Sequence, residues 1–179
     1  MAVTGRSGVG KTALVHHVTG SERVGNFVET LGTCVARTLS SSATPGVTDT
    51  IYEFWEVGGR YAAKFPYAVT EQLHDADVIV HVFSFSDRAS LLSASKDLAK
   101  FREVKDNVPV ILVGTKRDCI STCQLSLEDA QGVAADCGVS LVLVDSPHVE
   151  PEEGGKREGD VAVALLLDAL KVARERKKL

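Results

Sequence analysis

The residues with the clearest chemical potential form a glycine-rich stretch near the start of the chain, Gly5-Arg6-Ser7-Gly8-Val9-Gly10-Lys11-Thr12. Glycines at these positions let successive backbone N–H groups turn inward around an anion. Lys11 can reach the outer phosphates of a phosphate chain, and Thr12 carries a hydroxyl suited to Mg²⁺. The stretch therefore predicts a phosphate-binding loop, provided that a strand precedes it and a helix follows.

The elements that must position this loop follow from the hydrophobic pattern. Residues 1–4 predict a short strand, and residues 11–18 predict a helix with an apolar side. Further strands are predicted over 33–39, 49–55, 76–84, 108–114 and 139–144, and helices over 61–74, after Ser86 or Asp87, over 126–137 and from Asp160 onwards. The strands 33–39 and 49–55 predict a hairpin. Strands that alternate with helices predict an α/β sheet with helices on both faces.

Composition favours a single soluble domain over residues 1–179, because 44% of the residues are hydrophobic and 25% are charged. A net charge of -4 argues against general nucleic-acid binding. Basic residues cluster at the C-terminal end, where they favour a helix C-terminus or a weak contact with an anionic membrane or an acidic partner. Four irregularly spaced cysteines and five histidines predict a reduced, cytoplasmic setting without a zinc site.

Two further segments place oxygen atoms where the carboxyl ends of the strands would meet. Thr30 lies in a loop long enough to cross a bound nucleotide and to offer a second hydroxyl to Mg²⁺. Glu56 ends a predicted strand, and its carboxylate can hold Mg²⁺ through water. Gly59 can bring a backbone N–H close to a terminal phosphate. The alternatives are an ordinary turn threonine and a solvated acid beside a turn.

A fourth segment, Thr115-Lys116-Arg117-Asp118, directly follows a predicted buried strand. A fixed carboxylate at Asp118 can accept hydrogen bonds from the N1–H and the exocyclic amine of guanine, which adenine cannot offer. Lys116 can lay its methylenes along the base. Such charged residues also occur on any protein surface, and it is the position after a strand that favours base recognition. Ser146-Pro147-His148 is predicted to form a second loop beside the base.

Taken in order, GRSGVGKT, TLG, WEVGG, TKRD and DSP resemble the small GTPases of the Ras and Rab superfamily. The resemblance implies a P-loop NTPase fold with a mostly parallel six-stranded sheet and one antiparallel edge strand. Residues 52–56, 64–65 and 82–90 further resemble the Rab-like GTPases that are subunits of the ciliogenesis and planar polarity effector (CPLANE) complex. By this resemblance, the protein would act with Inturned and Fuzzy at the base of cilia.

The resemblance also implies roles for individual residues. Binding of GTP or GDP would involve Ser7, Gly8, Val9, Gly10, Lys11, Thr12, Ala13, Thr30, Gly59, Thr115, Lys116, Asp118, Ser146 and Pro147. Magnesium would be held by Thr12 and Thr30 directly and by Glu56 through water. Lys11, Gly59 and Arg60 would occupy the catalytic positions, and effectors would read the switch segments near Thr30 and Gly59.

Three departures from the family pattern predict how the protein differs from an ordinary member. Glu56 replaces the usual aspartate, Thr115 replaces the usual asparagine, and Arg60 replaces the glutamine that orients the attacking water. An arginine cannot accept a hydrogen bond from water. We therefore predict a Mg²⁺-dependent GTP-binding switch with slow intrinsic hydrolysis, unless Arg60 points into solvent and a partner supplies the water-orienting groups.

Two other functions remain open from the sequence. A scaffold could keep nucleotide bound as a structural cofactor, and a P-loop kinase could share the first loop without needing Asp118. The sequence ends in Arg-Lys-Lys-Leu, which lacks a cysteine for prenylation and favours recruitment by partners over a lipid anchor. By resemblance, the expected location is the cytoplasm, at the basal body or the cilium base. The short first strand also predicts that a natural N-terminal extension precedes this sequence.

Overall fold

A computed structural model describes residues 1–20, 29–40 and 50–144 of the chain. Within them, six strands form one sheet in the order β2-β3-β1-β4-β5-β6. The strands are β1 (Ala2–Thr4), β2 (Thr33–Ser40), β3 (Thr50–Val57), β4 (Ile79–Ser84), β5 (Val110–Thr115) and β6 (Ser140–Val144). Strand β2 lies at the edge and pairs antiparallel with β3, whereas all other neighbours are parallel. The predicted hairpin and the mostly parallel sheet with one antiparallel edge strand are confirmed.

Among the described residues, five α-helices connect these strands: α1 (Lys11–Thr19), α2 (Gly59–Lys64), α3 (Pro66–Asp75), α4 (Arg88–Val104) and α5 (Leu127–Cys137). Asp87 caps α4, because its side chain accepts a hydrogen bond from the backbone N–H of Ala89 at 3.0 Å. Ser126 caps α5 in a capping box with Asp129. A short 3₁₀ turn, Ile120–Thr122, follows β5 and was not predicted.

Buried side chains lie on both faces of the sheet, because helices pack on both faces as predicted. One face packs Val3, Val80 and Val82 against Leu14 and Val18 of α1. The opposite face packs Ile79, Leu112 and Phe83 among residues of α3, α4 and α5, including Leu73, Leu98, Phe101, Leu91, Ala94, Ala130 and Ala134. Because successive residues of β4 point to opposite faces, its near-continuous apolar sequence follows directly from burial on both sides.

One prediction about the helices needs correction. Residues 61–74 do not form one helix, because α2 ends at Lys64 and α3 begins at Pro66. Phe65 lies between them with a φ of -128° and a ψ of 73°, outside the helical region that a residue before proline avoids, and proline is tolerated only in the first turn of a helix. Within α4, Leu91 and Leu98 are buried, whereas Leu92 is 61% exposed.

Several predictions fall on residues outside the described ranges: the turn of the hairpin after Ser40, the loop after β6 with Ser146 and Pro147, and the helix from Asp160. None of the helices within residues 1–20, 29–40 and 50–144 is long and apolar enough to cross a membrane.

Candidate functional site

The glycine-rich loop connects β1 to α1, with the strand before it and the helix after it that its chemistry requires. Gly5, Gly8 and Gly10 all have positive φ angles, a conformation that L residues with side chains rarely adopt. At Gly5 the space is closed as well, because a Cβ atom would lie 2.2 Å from the carbonyl oxygen of Val82. Gly10 precedes α1 in a left-handed conformation. The loop therefore depends on glycine for its path.

Lys11 begins α1 and is buried, although its side chain carries an ammonium group. The Nζ atom donates hydrogen bonds to the carbonyl oxygens of Gly5 at 3.0 Å and Arg6 at 2.9 Å. Desolvation by burial lowers the pKa of Lys11, while the negative charge of Glu56 acts in the opposite direction. The carbonyl groups of the loop thus hold the ammonium group of Lys11, at the position where the sequence predicts a phosphate contact.

Side-chain oxygens from three separate segments converge beside the first turn of α1. Thr12 Oγ1 donates a hydrogen bond to Glu56 Oε1 at 2.7 Å, and its distance to Thr30 Oγ1 is 2.9 Å. Thr30 Oγ1 and Glu56 Oε1 are 3.5 Å apart. Glu56 is 97% shielded from solvent, as the last but one residue of β3. Two hydroxyls and a carboxylate are the hard oxygen ligands that Mg²⁺ prefers, so this group of residues is chemically suited to that ion.

The segment that follows β3 packs directly against the other parts of the site. The N–H of Gly58 donates to the carbonyl oxygen of Gly32 at 2.9 Å, and a Cβ atom at Gly58 would lie 2.0 Å from the carbonyl oxygen of Thr30. A Cβ atom at Gly59 would lie 2.4 Å from the backbone nitrogen of Ser7 in the glycine-rich loop. Both glycines are therefore positions of close backbone approach, which only glycine permits.

Arg60 extends away from this packing toward the segment that carries Thr30. Its Nη1 atom lies 3.1 Å from Glu29 Oε2, in an ion pair whose arginine side chain is 79% exposed. The sequence did not predict a role for Glu29. The position of Glu29 next to Thr30 was the one feature of the sequence that could have indicated such a role.

On the other side of the loop, Thr115 connects the end of β5 to the glycine-rich loop. Its buried Oγ1 lies 2.5 Å from the carbonyl oxygen of Val9 and 3.0 Å from that of Phe83. Lys116, with a φ of 60°, donates from Nζ to the carbonyl oxygen of Gly8 at 2.7 Å. Two consecutive residues of the predicted base-binding loop thus hold the glycine-rich loop.

Asp118 is exposed to solvent, and its Oδ2 atom lies 3.9 Å from the thiol sulfur of Cys119. Cys123 Sγ lies 3.5 Å from the carbonyl oxygen of Arg117, so a second thiol contacts the same loop. Of the remaining predicted site residues, Ser7 and Gly8 are exposed and Ala13 is partly buried in α1. Ser146 and Pro147 lie outside the described residues.

The sequence also gave no reason to assign His81 to the surroundings of this site. His81 lies on β4 opposite Thr4, the residue before the loop, and its Nδ1 is 2.9 Å from Thr4 Oγ1. Desolvation by burial, with a smaller effect of the Lys11 charge, lowers the pKa of His81 to about 4. His81 is therefore neutral at pH 7, and its 3.9 Å contact with Asp97 is not an ion pair at that pH.

Comparison with known proteins agrees with this arrangement. Residues 1–146 match the model of the Ras family. Ciliogenesis and planar polarity effector 2 of Homo sapiens is 34% identical over 119 residues, which cover 65% of this chain and 46% of that protein. The Xenopus tropicalis protein of the same name is 29% identical over 177 residues, or 94% of this chain and 69% of that protein.

GTP-binding protein RAD of Homo sapiens is 30% identical over 138 residues, which cover 74% of this chain and 42% of that protein. The chain spans about half the length of several curated relatives that it matches, as the 46% coverage of the human effector shows. The family match extends from the first strand through β6, and so includes the glycine-rich loop, the converging oxygens and the loop at Asp118. The chain belongs to the Ras family, as the order of its motifs predicted.

Proposed function

We propose that this protein is a guanine-nucleotide-binding switch that takes GTP or GDP together with Mg²⁺. The observation that carries the proposal is the convergence of Thr12, Thr30 and Glu56, whose oxygens lie within 3.5 Å of one another. These residues come from α1, from the segment before β2 and from β3. A cation held there would connect the phosphate-binding loop to two other segments at once.

Each part of the site has a chemical task in this proposal. Residues Ser7 to Ala13 would bind the phosphates with backbone N–H groups, and Lys11 would exchange its carbonyl partners for phosphate oxygens. Thr115, Lys116 and Asp118 would bind guanine, with Ser146 and Pro147 from the following loop. Magnesium would neutralise charge on the phosphate oxygens.

The proposal includes switching because the segments at Thr30 and Gly59 touch the phosphate-binding loop and each other. A ligand shifts a conformational equilibrium only when its affinity differs between the two states. A terminal phosphate could contact both segments through Thr30, through the cation and through the backbone of Gly59. Loss of that phosphate would remove contacts from both segments together, which is the physical requirement for a switch.

We further propose that intrinsic hydrolysis of GTP is slow. Arg60 stands where the family has glutamine, and its guanidinium cannot accept a hydrogen bond from water. In the structure this guanidinium is paired with Glu29. The catalytic positions would then be limited to Lys11 and Gly59, which stabilise phosphate charge without orienting the nucleophile.

The partners are proposed from similarity alone. Relatives named for ciliogenesis and planar polarity suggest recruitment to a ciliary or trafficking effector complex, with Inturned and Fuzzy as the partners to test. Such partners would read the segments near Thr30 and Gly59, at the cytoplasmic basal body or cilium base.

The decisive experiment compares fluorescent GDP, GTP and ATP binding to the purified chain, with and without Mg²⁺. We expect guanine nucleotides to bind and ATP not to bind, and chelation of Mg²⁺ to weaken binding. Asp118→Asn should shift preference from guanine to xanthine nucleotides, because the amide presents a donor where the carboxylate accepts. Equal binding of ATP would instead favour a P-loop kinase and refute the proposal.

Single-turnover hydrolysis tests the rate. We expect a rate at or below that of unassisted small GTPases, about 10⁻⁴ s⁻¹, and a clearly faster rate would refute slow hydrolysis. The Glu29–Arg60 ion pair also favours a second candidate, a scaffold whose two segments stay closed with any nucleotide. Partner binding that is equally tight with GDP and GTP would support that scaffold.

A further inference from the structure

The segment 29–32, before β2, and the segment 58–60, after β3, are held together by backbone and side-chain contacts. Gly58 donates to Gly32 at 2.9 Å and packs against the carbonyl group of Thr30. The Arg60–Glu29 ion pair, with its 3.1 Å separation, adds a charged contact at the solvent side. Glu29 directly precedes Thr30, whose hydroxyl lies 2.9 Å from that of Thr12. Any restraint on Glu29 therefore restrains Thr30 as well.

We propose that the Arg60–Glu29 pair is a clamp that keeps the two segments closed over the nucleotide and slows its release. Arg60 is then a positioning residue, which acts through Glu29 on Thr30. This inference rests on the proposed nucleotide binding. In addition to the loss of the water-orienting glutamine, the clamp gives Arg60 a separate function, the retention of the bound nucleotide.

The charges and the solvent exposure of Arg60 and Glu29 determine how strongly the clamp should slow nucleotide release. The side chains of Arg60 and Glu29 are 79% and 35% exposed, so solvent and salt screen the pair. Exposed pairs of this kind change an equilibrium by roughly two- to five-fold. The clamp should therefore modulate release, and its effect should diminish at high ionic strength. A neutral glutamine at position 60 could not make this contact as an ion pair.

The test is a charge-swap cycle on the full chain loaded with fluorescent GDP, which removes hydrolysis from the measurement. Release is followed after addition of excess unlabelled GDP for the wild type, Arg60→Glu, Glu29→Arg and the double variant. Arg37→Glu is the matched control, because it breaks another exposed ion pair, Arg37 to Glu53 at 2.6 Å, on the β2–β3 hairpin. Hydrogen exchange at the amides of residues 30–32 gives a second readout that does not depend on the nucleotide.

We expect each single reversal to speed release by about two- to five-fold, the double variant to return toward the wild-type rate, and Arg37→Glu to change nothing. Exchange at residues 30–32 should follow the same order. Additive effects in the double variant, or a wild-type rate in both single variants, would refute the clamp. Failure of the wild type to bind GDP would refute the proposed function instead. In that case, a return of hydrogen exchange at residues 30–32 to the wild-type rate in the double variant would still support the Arg60–Glu29 pair as a contact that restrains the two segments.

Discussion

The stability of this protein should depend on pH through one buried side chain, His81. Burial lowers the pKa of His81 to about 4, from an ordinary value of 6.5. The folded protein therefore keeps this imidazole neutral under conditions in which the unfolded chain protonates it. Folding stability that depends on the neutral form is fully present above pH 6.5 and is lost as the pH falls toward 4.

The magnitude follows from the two pKa values. At pH 5 the unfolded chain carries nearly one proton at this position and the folded chain almost none, so the change from pH 7 to pH 5 lowers the free energy of unfolding by about 2 kcal/mol. Burial of Asp97 raises the pKa of its carboxyl group, and this opposes the effect of His81, because the folded protein then takes up a proton at Asp97 more readily than the unfolded chain as the pH falls.

The assay is urea unfolding at pH 7 and at pH 5 for the wild type and for His81→Asn. The amide of the variant can face Thr4 from a similar position and does not titrate. Both proteins share all other titrating groups, so the difference between their pH dependences isolates His81. We expect the wild type to lose about 2 kcal/mol more than the variant between the two pH values. Equal losses would refute the conclusion that His81 is buried in its neutral form.

Two substitutions test the packing around the glycine-rich loop, and a third serves as their control. Gly59→Ala places a Cβ atom 2.4 Å from the backbone of Ser7 and should cost about 1–3 kcal/mol with faster nucleotide release, measured by urea unfolding and by fluorescent GDP release. Thr115→Val removes the hydroxyl beside Val9 O and should also cost about 1–3 kcal/mol and speed release; unchanged release would contradict the assigned contact. Ser126→Ala removes the cap of α5 and should cost about 1 kcal/mol without affecting release, so it controls for general destabilisation.

Much of the fold could be predicted because local sequence and tertiary environment agree. The residues of β4 are apolar at successive positions because both faces of the sheet are covered. Gly5 and Gly10 stand where the backbone needs positive φ, so the loop could be recognised from its letters. The break between α2 and α3 also has a local signal in Pro66, which the predicted single helix over residues 61–74 did not take into account.

Contacts between distant segments could not be predicted in the same way. The Glu29–Arg60 pair joins residues on opposite sides of a hairpin, and neither residue type distinguishes this contact from an ordinary exposed charge. In the sequence, His81 is a polar residue within a mostly apolar strand. Its neutrality depends on burial and, to a smaller extent, on the charge of Lys11, which only the three-dimensional structure brings together with His81.

The three departures from the family pattern differ in what they preserve. Glu56 carries one methylene more than aspartate, yet its carboxylate reaches Thr12 at 2.7 Å and stays beside the glycine-rich loop. Thr115 has a shorter side chain than asparagine, yet its hydroxyl lies within hydrogen-bonding distance of the same loop. Both substitutions therefore keep a contact that supports the predicted phosphate site. Arg60 instead makes an ion pair with Glu29, and its guanidinium cannot accept a hydrogen bond from water. Two substitutions that keep contacts to the glycine-rich loop, and one that places arginine where the family has glutamine, support the proposed retention of a nucleotide over its rapid turnover.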